Sequence, residues 1–156
     1  MAAGDETEIE LTPFYDIAVL SRAVTALLAE AMTGSALEPL EYAVASAVAT
    51  GRAVTASALA DDFAVPLTTV SAWLTRMDGR GLLTRERDPR DRRRQRISLT
   101  PTGERALEAA RTDFGRAYLV FLDRAPLDAA AMRTTLGGMI EAARSARATL
   151  RDVAGW

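Results

Sequence analysis

The sequence predicts a mainly α-helical fold that carries one short β-hairpin. Apolar residues recur every three to four positions along most of the 156-residue chain, which is the period of an amphipathic helix. Between residues 82 and 99 the period changes to two, which is typical of paired strands. The chain is 49% hydrophobic and 26% charged, as in ordinary globular proteins. We therefore expect one compact domain.

Caps and helix-breaking residues predict where the helices begin and end. Thr12-Pro13 and Thr100-Pro101 each place a capping hydroxyl before a proline at the first helical position. Pairs of glycines and the prolines at 66 and 126 interrupt the apolar periodicity. Residues 1–11 have no such periodicity and are expected to be frayed. The predicted helices cover about 12–32, 37–49, 56–63, 66–79, 101–124 and 128–150.

The change of period predicts a two-stranded hairpin formed by Leu82–Arg87 and Gln95–Leu99. Ile97 and Leu99 alternate with Arg96 and Ser98. Between the strands lies the sequence DPRDRRR, which has the composition of a charged hairpin tip. This is the sheet that the sequence predicts.

The composition excludes several classes of function. The chain has neither cysteine nor histidine, which excludes disulfides, thiol redox switches, Cys/His zinc sites and a histidine general base. No nucleophile elbow, phosphate-binding loop or paired-carboxylate motif is present. We therefore expect no enzyme activity, no metal and no cofactor. No apolar run approaches the ~20 residues that span a bilayer, and the acidic start MAAGDETEIE is unlike a secretory signal, so a cytoplasmic location is expected.

Positive charge is concentrated in one segment. Lysine is absent, and nine of the 19 arginines lie between Arg76 and Arg96, against four acidic residues, which gives this segment a net charge of +5. The rest of the chain has ten arginines against 17 acidic residues, a net charge of −7. A basic segment in an otherwise acidic protein indicates a localised contact with a polyanion.

Residues 55–82 have the pattern of a helix-turn-helix. A short helix, a tight break and a second helix follow each other, and the second begins with small hydroxylated side chains. A helix enters the DNA major groove only if its exposed N-terminal face is small and polar. Thr68, Thr69, Ser71 and Ala72 supply such a face, and Arg76 is placed to reach a phosphate or a guanine edge. The alternative is an ordinary helical hairpin whose hydroxyls are solvated.

The arginines at the hairpin tip strengthen the DNA-binding interpretation. Guanidinium groups at such a tip contact phosphates or enter a narrow minor groove. Asp88 and Asp91 lie beside Arg90, Arg92 and Arg93 and would orient them through ion pairs. The alternative is a charged run that is merely solvated.

The segment Leu59–Gly103 resembles the winged helix of the MarR family of bacterial transcription factors (multiple antibiotic resistance regulators). The matching sequences are LADDFAV before the turn and TTVSAWLTRMDGRGLLTRERDPRDRRRQRISLTPTG after it. The resemblance extends over about residues 12–151. It implies an obligate homodimer in which 12–36 and 101–156 form a helical dimerisation region and 37–100 form the winged helix-turn-helix.

The resemblance also implies which residues contact DNA. Residues 66–76 would form most of the recognition helix, and the arginine-rich tip would be the wing. Leu67 and Ala72 stand where many family members have polar or basic side chains, so contacts to thymine methyl groups or readout of DNA shape would carry more of the specificity. The expected contacts are Pro66, Leu67, Thr68, Thr69, Ser71, Ala72 and Arg76 in the helix, and Asp88, Arg90, Asp91, Arg92, Arg93 and Arg94 in the wing.

Many members of the family bind a small aromatic or phenolic anion between the dimerisation helices and the winged helix. Without cysteine or histidine, sensing through thiols, peroxide or zinc is excluded, so a non-covalent effector is the expected signal. Each aromatic candidate can equally be interpreted as core or interface. The candidate pocket residues are Tyr15, Arg22, Tyr42, Trp73, Met77 and Tyr118.

These observations predict a sequence-specific, double-stranded-DNA-binding transcriptional regulator. The expected form is a ligand-responsive homodimeric repressor that binds a pseudo-palindromic operator and associates with the nucleoid. The alternative is a winged-helix architectural or protein-interaction module without strong sequence-specific DNA binding.

Overall fold

The computed structural model describes residues 12–87 and 95–154, which contain six α-helices and a two-stranded antiparallel sheet. The predicted fold class is confirmed. The chain divides into two compact units, the first ending at Ala117 and the second beginning at Tyr118. The elements are α1 (Thr12–Ala31), α2 (Pro39–Ala49), α3 (Ala56–Phe63), α4 (Leu67–Gly79), β1 (Leu83–Arg87), β2 (Gln95–Leu99), α5 (Pro101–Arg124) and α6 (Ala129–Ala154).

The first unit has one hydrophobic core, to which α2, α3, α4, the hairpin and the start of α5 contribute. Burying such side chains stabilises a fold by about 1.5–3 kcal/mol each. The core therefore holds the helix-turn-helix and the hairpin as one body. Its most deeply buried large hydrophobic side chains are Leu37, Val44, Leu59, Val70, Leu74, Met77, Leu83 and Ile97.

The turn between α3 and α4 is built from local backbone interactions. The Thr55 hydroxyl accepts a hydrogen bond from the Ala58 amide (3.1 Å) and caps α3, as predicted. Ala64 has a left-handed backbone (φ 54°), and the next amide, that of Val65, donates to the Ala60 carbonyl (3.0 Å), which ends α3. Pro66 lies at the N-cap of α4 and outside the helix, so the predicted start at 66 was one residue early.

Strand β2 of the hairpin makes backbone hydrogen bonds along both of its edges. Leu83 pairs with Leu99 and Arg87 with Gln95 in an antiparallel register. On the other edge of β2, the Ile97 amide donates to the Val54 carbonyl (2.8 Å), so the segment that follows α2 adds a backbone hydrogen bond to the sheet. The base of the hairpin is thereby fixed to the helix-turn-helix core.

The start of α5 packs against the backbone that directly follows α4. The Thr100 hydroxyl accepts from the Gly103 amide (3.0 Å) and donates to the Gly81 carbonyl (2.6 Å), while the Thr100 amide donates to the Leu82 carbonyl (3.1 Å). The predicted start of a long helix at Thr100-Pro101 is confirmed. A β-carbon at Gly103 would lie 1.9 Å from the Leu82 carbonyl oxygen, so this close approach requires glycine.

Two other predicted helix boundaries differ from those observed. The second helix begins at Pro39, two residues after the predicted Leu37, whose side chain is buried in the preceding turn. The last helix continues to Ala154, beyond the predicted end at Leu150. The second unit contains the end of α5 and this helix, which Asp128 caps by accepting from the amides of Ala130 (2.9 Å) and Ala131 (2.8 Å).

Within residues 12–87 and 95–154, no helix is both long enough and apolar enough to cross a bilayer.

The close packing at Gly103 predicts opposite effects for two glycine substitutions in α5. Gly103→Ala forces a β-carbon against backbone that cannot move independently, and we expect a loss of about 2–3 kcal/mol in the free energy of unfolding. At Gly115 a β-carbon meets nothing within 4 Å, so Gly115→Ala should stabilise by about 0.5–1 kcal/mol through helix propensity. Urea unfolding measures both, and equal effects of the two substitutions would contradict the close approach.

Candidate nucleic-acid interface

Helix α4 has one buried face and one exposed face. Val70, Leu74 and Met77 are at most 1% exposed and anchor the helix in the core. The opposite face follows the helical spacing and is open to solvent at Thr68, Ser71, Ala72, Thr75 and Arg76. Of the other predicted contacts in this helix, Pro66 and Leu67 are exposed and Thr69 is half-buried.

The exposed face of α4 presents hydrogen-bond acceptors. The Ser71 hydroxyl donates to the Leu67 carbonyl (2.8 Å), and the Thr75 hydroxyl donates to the Ser71 carbonyl (2.8 Å). Because each hydroxyl proton is used within the helix, the oxygen lone pairs remain for an outside donor. In the DNA major groove such donors are the amino groups of adenine and cytosine. The small side chains also let the helix axis approach a groove closely.

Sequence reasoning missed Thr75, although it lies three residues after Ala72 and four after Ser71 on the same face. The Thr75 hydroxyl also accepts a hydrogen bond from Nη2 of Arg85 on β1 (3.4 Å). Arg85 lies opposite the buried Ile97 and therefore on the core side of the hairpin. Its Nε is buried and has no hydrogen-bond partner among the described residues. Strand alternation in the sequence would have placed Arg85 on this inner side.

A buried carboxylate connects the end of α4 to the start of α2. Glu41 is 2% exposed, and its Oε2 accepts from Nη1 of Arg80 and from the Glu38 amide (3.1 Å). Arg80 also donates through Nη2 to the Ala36 carbonyl (2.8 Å). Sequence analysis missed this pair, because an isolated acid on an amphipathic helix has no pattern that indicates a partner 39 residues away.

Arg76, a predicted DNA contact, is already engaged in an ion-pair cluster. Its Nε lies 3.6 Å from Oε1 of Glu41, and its Nη2 lies 3.8 Å from Oε2 of Glu38. Half of the side chain is nevertheless exposed. The guanidinium group is therefore partly accessible to an incoming anion.

The predicted wing contacts lie outside the described residues. These are Asp88, Arg90, Asp91, Arg92, Arg93 and Arg94. The structure describes the two strands that carry the tip, with Arg87 and Arg96 exposed near their outer ends. The two strands that flank residues 88–94 are held together by their antiparallel pairing and by the hydrogen bond from Ile97 to Val54.

The six candidate pocket residues differ in burial in the described structure. Met77 is in the core, Tyr42 stacks on Phe114 (ring centroids 4.4 Å apart, 20° between planes), and Trp73 meets Phe63 edge to face (5.6 Å, 77°). These three side chains pack within the first unit. The other three candidates, Tyr15, Arg22 and Tyr118, are exposed.

A cleft of about 440 Å³ occurs elsewhere in the first unit, where none of the six candidates lines it. It lies between the end of α2, strand β2 and the start of α5. Its floor includes Val48, Ile97 and Leu107, and its charged rim includes Arg96 and Arg111.

The Glu41–Arg80 pair predicts a large effect on stability. Arg80→Gln leaves a buried carboxylate without its closest cation, and we expect a loss of about 2–3 kcal/mol in the free energy of unfolding, moderated by the partial exposure of Arg80. The double variant Glu41→Gln/Arg80→Gln should recover most of this loss, because no buried charge then remains. Arg111→Gln, which removes the exposed pair with Glu108, is the matched control and should change stability by less than about 0.5 kcal/mol. Chemical denaturation that shows no recovery in the double variant would contradict this account.

Known proteins share both the sequence and the fold of this region. Residues 37–103 match the winged helix DNA-binding domain family. Over 70 residues the chain is 40% identical to the transcriptional regulator HosA of Escherichia coli O111:H-, and the match covers 45% of this chain and 52% of HosA. The chain thus spans about half the length of the curated relatives it matches.

Two solved structures extend the likeness beyond the winged helix. The transcriptional regulator MosR of M. tuberculosis, in complex with DNA, has a TM-score of 0.74 at 23% identity, covering 85% of this chain and 96% of MosR. A MarR variant from E. coli, complexed with operator DNA, has a TM-score of 0.71 at 18% identity, covering 89% and 99%. Residues 37–103 thus match the winged helix DNA-binding domain family in sequence, and the described chain shares the fold of MarR.

Proposed function

We propose that this chain is a transcriptional regulator that binds double-stranded DNA in a sequence-specific manner, acting as a homodimeric repressor. The observation that carries the proposal is the two-faced α4: its apolar side is buried in the core, and its small, hydroxyl-bearing side is exposed beside an arginine-rich hairpin. Related folds bound to DNA, those of MosR and MarR, support it.

In the proposed complex, α4 lies in the major groove. Thr68, Ser71 and Thr75 accept hydrogen bonds from base amino groups, and the exposed Leu67 (52%) packs on a thymine methyl group. Arg90, Arg92 and Arg93 contact phosphates or the adjacent minor groove. Phosphate contacts would supply most of the affinity, and α4 would supply the sequence preference.

Exposed apolar surface on the terminal helices supports dimerisation. On α1, Phe14 and Tyr15 are 75% and 70% exposed. On α6, Met139 and Ile140 are about half exposed, and Val153 is 82% exposed. Apolar residues concentrated along helices in this way are typical of a subunit interface. We infer that residues 12–36 and 101–156 form the dimerisation region and that 37–100 bind DNA, one subunit to each half-site.

A dimer also offers a route to control by a small aromatic or phenolic effector. Two recognition helices read successive major grooves only when they are about 34 Å apart. An effector bound between the dimerisation helices and the winged helix would change that separation and release the DNA. The exposed Tyr15 and Arg22 lie seven residues apart on one side of α1 and would contribute to such a site. Binding of the effector would then end repression. This regulation would take place at the nucleoid, in the cytoplasm.

The wing assignment predicts a change in salt dependence. Replacing Arg90, Arg92 and Arg93 by Gln should weaken binding to every duplex and lower the slope of log K against log [salt] by about 2–3 units, since each lost phosphate contact contributes ~0.9. Replacing three exposed arginines of α5 (Arg111, Arg116 and Arg124) removes the same charge and should leave the slope nearly unchanged. Fluorescence anisotropy over a salt series measures both, and an unchanged slope in the wing variant would exclude the wing from the interface.

A further inference from the structure

Two acids and two arginines form a cluster at the junction of α2 and α4. They differ in burial and in their contacts. Glu41 and Arg80 form its inner pair: Glu41 is 2% exposed, and Arg80 contacts both this carboxylate and the Ala36 carbonyl. Oε2 of Glu41 also accepts from the Glu38 amide. Oε2 of the buried carboxylate is thus compensated by Arg80 and the Glu38 amide, while Oε1 faces Nε of Arg76 at 3.6 Å.

Arg76 and Glu38 form the outer pair of the cluster. The distances from Arg76 to Glu38 (3.8 Å) and to Glu41 (3.6 Å) exceed those of good charge-assisted hydrogen bonds. The side chains of Arg76 and Glu38 are 50% and 69% exposed. Exposed pairs of this kind contribute little to stability, about 0–1 kcal/mol. Arg76 can therefore leave Glu38 at little cost, while Glu41 retains its contact with Arg80.

Arg76 also lies at the edge of the exposed face of α4, the face proposed to enter DNA. A phosphate that approaches this face competes with Glu38 for the same guanidinium group, and the Glu38 carboxylate repels that phosphate. We infer that Glu38 is an affinity-determining residue: it holds Arg76 in the free protein and opposes its transfer to a DNA phosphate. This inference rests on the proposed DNA-binding function.

The inference predicts that removing an acid from the α2 N-terminus tightens DNA binding. Glu38→Gln should raise the affinity for specific and random duplexes alike by about threefold to tenfold at low salt, because the gain concerns a phosphate and not a base. The gain should shrink as the salt concentration rises and screens the exposed pair. Glu38→Ser removes the same charge and keeps a preferred N-cap residue, so it separates the effect of charge from any effect on the start of α2.

A double-mutant cycle on the full chain tests the inference. Dissociation constants are measured by fluorescence anisotropy for the wild type, Glu38→Gln, Arg76→Gln and the double variant, with thermal melts to verify folding. Glu108→Gln, which also removes an exposed acid paired with an arginine, is the matched control and should leave the affinity unchanged. The inference predicts that Glu38→Gln tightens binding in the wild type and has little effect when Arg76 is absent.

Three outcomes would overturn the inference. If the wild type binds DNA but Glu38→Gln and Glu38→Ser do not tighten binding, Glu38 does not oppose DNA, and the proposed function stands. If Glu38→Gln raises the DNA affinity equally when Arg76 is absent, Glu38 acts by general repulsion of the DNA. The inferred transfer of Arg76 from Glu38 to a DNA phosphate is then wrong. If the wild type itself does not bind duplex DNA, the proposed function and the inference both fail.

Discussion

The buried carboxylate of Glu41 is the constraint that sets the position of α4. Taking a charge out of water costs several kcal/mol, so Glu41 is stable only where Arg80 and the Glu38 amide meet it. Those partners come from two separate segments of the chain, the start of α2 and the end of α4. The apolar contacts of Val70 and Leu74 determine which face of α4 is buried. A directional ion pair restricts the helix along its axis as well.

The same end of α4 also positions the hairpin. Thr100 binds the carbonyls of Gly81 and Leu82 directly after the helix, and Gly103 lets the start of α5 pack against that backbone. The hydrogen bond from Ile97 to Val54 ties β2 to the segment after α2. Helix α4 and the strands of the hairpin are thus attached to one small framework, and such pre-organisation is what a DNA-binding surface requires. The Arg76–Glu38 ion pair lies beside this framework. Because its two charges are held only loosely, they can change partners.

Local signals in the sequence predicted most of the fold and the two different faces of α4. Thr55 and Thr100 cap helices through neighbours three residues away, and the spacing of Val70, Leu74 and Met77 separates the two faces of α4. Such contacts depend only on nearby residues. The Glu41–Arg80 ion pair and the hydrogen bond between Arg85 and Thr75 depend on tertiary packing. The periodicity of apolar residues in the sequence does not indicate such contacts. For the same reason, the sequence did not distinguish a packed Tyr42 or Met77 from a residue that lines a ligand pocket.

The central claim is that two copies of α4 read a symmetric DNA sequence. The most direct test is selection of bound duplexes from a random pool by the purified chain at physiological salt. The account predicts enrichment of an inverted repeat whose half-sites are centred about 10 base pairs apart, one turn of B-DNA. Recovery of A·T-rich duplexes without symmetry, or no enrichment, would contradict a sequence-specific dimer and favour an architectural or protein-binding role.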